Sequence, residues 1–217
     1  MRINYLYFVL PALLCISCSA PSARVLAVSD GMEFIINPGE EWKKPQFAAW
    51  LTDIDGSYVS TILVSNRSGN KSWRMAPKAG RPEALPVWEH SRSKSMYTDE
   101  IDSVTSATPK GVVQTAFDNH ILVIGGEYHI FLEVNQSFDY NDRWPKKAGN
   151  NLPAAGVNGQ PSLVYSAGFI YGEPFDRVQL SLAGHGAVDG SHGDIIVDTE
   201  GMTTALSIIK DAFLANK

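Results

Sequence analysis

The sequence predicts a mainly β protein, an immunoglobulin-like β-sandwich with short helices, one of them at the C-terminus. Three observations carry this reading: apolar and polar residues alternate with period two, an Asp-Gly pair joins two apolar runs, and about seven short apolar segments are separated by Gly, Pro and Asn turns. The chain has 217 residues and a formal net charge of −5. That length suits one domain with a sizeable core, and the mild acidity excludes a strongly basic nucleic-acid binder.

At the N-terminus, Arg2 precedes a mostly apolar run over residues 5–16, which ends in Ser17-Cys18-Ser19-Ala20. The run is shorter than the roughly 20 residues a spanning helix needs and has the form of an export signal. Both cysteines, Cys15 and Cys18, lie in this segment. The folded domain therefore has no cysteine for a disulfide, a zinc-thiolate site or a thiol nucleophile. Leu14-Cys15-Ile16-Ser17-Cys18 resembles a bacterial lipoprotein signal, with Cys15 where Leu is usual. The resemblance implies a signal peptide over 1–17, acylation of Cys18, and a membrane contact made through the lipid alone. Residues 18–30 then form a tether, and 31–217 a single sandwich domain with a C-terminal helix. Ser19 and Ala20 lack the Asp associated with inner-membrane retention, which points to a periplasm-facing lipoprotein of the outer membrane.

Residues 46–54 and 58–64 are apolar-rich runs joined by Asp55-Gly56, a hairpin signal because Gly adopts positive φ without penalty. Segments 112–117 and 162–170 read as strands. In 127–135, Tyr128, Ile130, Leu132 and Val134 alternate with His129, Phe131, Glu133 and Asn135, and Val178, Leu180 and Leu182 alternate in the same way. A helix is expected over about 83–92, where Pro86 fits only in the first turn. A second is expected from Thr203 to the C-terminus, with Leu206, Ile209 and Phe213 on its apolar face. The connection 137–161 is rich in Pro and Gly without periodicity, and irregular connections of that length are usually functional or mobile.

The stretch Asp102-Ser103-Val104-Thr105-Ser106-Ala107-Thr108 precedes Pro109. As plain chemistry it is a hydroxyl-rich turn of small residues. It also resembles the acceptor motif of bacterial flavin transferases: an Asp, two variable positions, Ser or Thr, Gly or Ser, Ala, then Thr or Ser. Asp102, Thr105, Ser106, Ala107 and Thr108 match in order, and the resemblance implies FMN in phosphoester linkage to Thr108. The residue types suit the task. A transferase must bring the acceptor hydroxyl to a phosphorus, so the neighbours must be small, and a weak hydroxyl nucleophile needs a base, for which Asp102 is the motif's own candidate.

The order of features further resembles the exported family known as domain of unknown function 2271, predicted periplasmic proteins. The likeness runs over about 34–182 and rests on Gln46-Phe47-Ala48-Ala49-Trp50-Leu51 with Asp55-Gly56, Val87-Trp88-Glu89, the segment from Asp102 to Pro109, and Gly126-Glu127-Tyr128. It implies a sandwich domain associated with flavin-transfer and membrane electron-transfer components, hence a redox carrier more than a stand-alone catalyst.

Gly184-His185-Gly186-Ala187-Val188-Asp189-Gly190-Ser191-His192-Gly193-Asp194 gathers two imidazoles and two carboxylates on a glycine-rich backbone. His185, Asp189, His192 and Asp194 are the ligands a metal would use there, but the spacing matches no helical metal pair, and the run reads as a wide loop. No nucleophile elbow, phosphate-binding loop or dinucleotide fingerprint is present. The resulting expectation is an extracytosolic electron carrier with covalent FMN on Thr108, partnered by a flavin transferase and an envelope or membrane electron-transfer protein. The rival is a non-redox envelope module that uses 137–161 and the tryptophans to hold a glycan or a partner protein.

Overall fold

A computed structural model describes residues 31–72, 80–94, 111–117, 121–149 and 152–216, the Phe117 side chain excepted. The strands are β1 (Met32–Pro38), β2 (Gln46–Asp53), β3 (Tyr58–Val64), β4 (Val113–Phe117), β5 (Glu127–Asn135), β6 (Leu163–Ile170), β7 (Arg177–Gln179), β8 (Ser181–His185) and β9 (Ile209–Asn216). The helices are a single turn α1 (Asn66–Gly69) and α2 (Pro86–Ser93), with 3-10 turns at Pro82–Ala84 and Thr204–Ser207. One sheet has the order β4-β1-β9-β7 and the other β3-β2-β5-β6-β8, and the pairings are antiparallel.

The two sheets face each other as a β-sandwich. Phe34 and Ile36 of β1 and Ala212 and Leu214 of β9 pack against Phe47 and Leu51 of β2 and Ile130 and Leu132 of β5, all nearly or wholly buried. The second sheet is covered on its other face too. There Ala48, Trp50, Tyr58, Val64 and Val164 meet Leu85, Val87 and Trp88 at the start of α2. This third layer explains why every residue of β2 except Asp53 is buried.

Two expectations are corrected. The C-terminal helix expected after Thr203 is one 3-10 turn followed by β9. Ladder irregularity where Pro38 meets Ile209 shifts the register, so Ile209, Ala212 and Leu214 point inward, and the spacing of three at the first step imitates a helical face. The alternating run at Val178, Leu180 and Leu182 is two strands in different sheets. The chain crosses at Leu180, whose N–H donates to the Ala212 carbonyl at 2.9 Å, and Leu182 ends up 39% exposed. In the described part of the connection 137–161, Trp144 is buried in the core, Asn141 caps the backbone of Arg143 and Trp144 at 3.0 Å, and Gly159 lies against the Asp139 carbonyl.

Candidate functional site

The face of the second sheet that carries α2 holds a buried polar network with a groove beside it. Pro86 is the first residue of α2, where its missing N–H costs nothing, but Leu85 before it offers no capping side chain. The cap comes from β5. Glu133 is fully buried and accepts hydrogen bonds from the N–H groups of Val87 (3.3 Å) and Trp88 (2.8 Å) and from the Ser162 hydroxyl (2.6 Å). Burial pushes its carboxyl up to about 7, against the lowering effect of those three donors. Deeper under the helix, the Trp88 indole N–H donates to Thr61 Oγ1 at 2.8 Å, and Thr61 Oγ1 lies 2.6 Å from the Tyr58 hydroxyl.

The glycine and histidine run lies against this helix, which accounts for its composition. A Cβ on Gly186 would stand 2.5 Å from Pro86 Cγ and 2.6 Å from Ser162 Oγ; one on Gly190 would meet Glu83 N at 2.6 Å, and one on Gly193 would meet His90 Cβ at 2.4 Å. The glycines allow a backbone to lie directly on a helix. His185 is buried, its Nδ1 donating to the Gly186 carbonyl at 2.7 Å, and its backbone bridges to Ile196. Asp189 accepts the Ser191 amide and hydroxyl in a local turn, and those bonds hold its carboxyl below the usual range. His192 Nδ1 lies 3.3 Å from a carboxylate oxygen of the exposed Asp194. Among the described residues no three His, Cys, Asp or Glu are grouped as a metal would need them.

Past the middle of α2, on the same face, a groove of about 550 Å³ opens toward the β2–β3 turn. Its floor is aromatic. Trp50 and Phe131 stack at 5.2 Å and 14°, and His129 meets Phe131 edge-on at 6.2 Å. Thr52, Asp55 and Ser57 from the hairpin, Ser91 from α2 and Lys94 just past its end form a polar lining carrying both charges. Such a volume, with an apolar floor and few polar groups, suits a small ligand that offers a flat or ring face. Phe131 and His129 were not singled out in the sequence. Their signal was the alternation itself, because β5 carries aromatic rings on the face opposite Ile130 and Leu132, where a solvated strand would carry polar groups.

Thr108, Asp102, Thr105, Ser106 and Ala107, like Cys18, lie outside the described residues. The chain resumes at Gly111 and Val112, both exposed, and runs into β4 at the edge of its sheet. Of the tryptophans, Trp50, Trp88 and Trp144 are buried, and Trp42 packs on Phe47 at 5.7 Å. No protein-family model, curated protein or solved structure matches this chain.

Proposed function

We propose that the protein is an exported envelope protein, anchored through acylated Cys18, that carries FMN covalently on Thr108 and passes electrons between envelope partners. The observation that carries this reading is the order Asp102, Thr105, Ser106, Ala107, Thr108. The fold supports it in one respect: the first described residues after the motif are exposed and lead into an edge strand, which suits a hydroxyl that an enzyme must reach. In the attachment, Thr108 Oγ1 attacks the flavin-side phosphorus of a flavin dinucleotide. The new O–P bond replaces the pyrophosphate bond, adenosine monophosphate leaves, and the hydroxyl proton passes to Asp102 or to a base of the transferase. FMN, once bound, supplies the redox chemistry; the chain sets its exposure and its surroundings.

The test is coexpression with a flavin transferase. The expected product is yellow, keeps its colour on denaturation and has the mass of one added FMN, whereas Thr108→Ala has its unmodified mass and an unchanged fold. An unmodified wild type, or a label retained in Thr108→Ala, overturns the reading. One observation favours the rival reading, a module that binds a glycan or another ring-faced ligand: the half-buried rings of Phe131 and His129 in the groove, with Trp50 buried in a stack on Phe131. That reading requires no adduct, so the same mass measurement separates the two.

A further inference from the structure

The chain joins the sandwich at Met32, which stands opposite Phe117 of β4 and Asn216 of β9. Asn216 donates to the Phe175 carbonyl at 2.6 Å, Phe175 packs on Phe169, and Phe169 packs on Tyr128, the residue opposite Asp53. The end where the N-terminal chain arrives is therefore the end that bears the β2–β3 turn and the 121–126 connection. Three aliphatic side chains are displayed there: Ile54 is 55% exposed, Val123 68% and Ile124 66%. In the run Ile121-Leu122-Val123-Ile124 the first two residues pack on the core and the last two do not. The outward pair is held in place. Val123 N–H donates to the Tyr128 hydroxyl at 2.9 Å, Gly125 N–H to the Tyr171 carbonyl at 2.7 Å, and Ile124 rests against Gly172.

We infer that this end of the sandwich lies on a lipid bilayer, with Ile54, Val123 and Ile124 entering the headgroup region. The inference rests on the acylation of Cys18 proposed above. Residues 19–31 then link the acyl chains to the sandwich, and the covalent reach of so many residues cannot exceed about 45 Å. A tether so short holds the arriving end nearer the surface than the opposite end, which displays Val112, Phe138, Val157 and Leu206, so the tether selects the end and the apolar patch there completes the contact. Asp55, Glu127 and Glu173 are exposed at the same end, which selects a zwitterionic surface over an anionic one.

The acylated full chain is reconstituted in phosphatidylcholine and phosphatidylethanolamine vesicles containing a nitroxide-labelled lipid. A fluorophore is attached through Val123→Cys or, at the opposite end, through Leu206→Cys, both at exposed positions. Quenching several-fold stronger at 123 than at 206 is expected. Equal quenching on protein that floats with the vesicles overturns the orientation while leaving the anchor intact. Protein that does not float overturns the anchor, and the orientation with it.

Discussion

Glu133 couples one strand to the helix above it, and its ionisation is written into the stability of the fold. An ordinary glutamate releases its proton near 4.5, whereas burial raises this one to about 7. Below the first value both the folded and the unfolded chain hold the proton. Between the two values the folded chain holds a proton that the unfolded chain has lost, so stability falls as pH rises through that window. A shift of that size corresponds to roughly 3 kcal/mol. Denaturant unfolding at a series of pH values should show Glu133→Gln losing most of this decline, because glutamine keeps an acceptor for the α2 amides and has no proton to release. An unchanged slope would mean that Glu133 is not the group responsible. Nothing local in the sequence signals this role. Glu133 sits in a polar slot of the β5 alternation, and only the unusual company of His129 and Phe131 on that face hinted at a cover.

At the scale of elements, β2 and β3 were legible as two apolar runs joined by Asp55-Gly56, and β5 from its alternation, although the β2–β3 ladder shifts register at Ala49/Trp50 and Leu51/Thr52. β9 was not, because the irregularity at Pro38 breaks the alternation at the first step, while Leu206, Ile209 and Phe213 stand at helical spacing. The two assignments differ in which side chains they bury. Leu214 is wholly buried in the strand, while Leu206 in the preceding turn is 41% exposed. Leu214→Ala should therefore cost about 2–5 kcal/mol in urea unfolding and Leu206→Ala well under 1 kcal/mol. The opposite ranking would restore the helix with Leu206, Ile209 and Phe213 on its buried face. The groove was illegible for a different reason: it forms where α2, the β2–β3 turn and the segment around Ile195 meet, and nothing local to any of them announces the others.

For the whole molecule, the order β4-β1-β9-β7 places the first strand in the interior of its sheet, flanked by strands from much later in the chain. Glu33 bonds to Gln114, 81 residues away, and Asn37 to Asp211, 174 residues away. A chain stopped after Ile208 loses β9 and leaves β1 without one neighbour and the core without Ala212 and Leu214, so it should be rapidly digested by protease where the full chain resists. Pairings this distant in sequence are slow to form, since long loops must close before the contacts reward them. The same topology governs timing. While the chain is being made, β1 has no complete pair of neighbours until the last strand emerges. A protein built this way closes its sandwich only when its C-terminal strand arrives, so the last residues made decide when the first strand is secured.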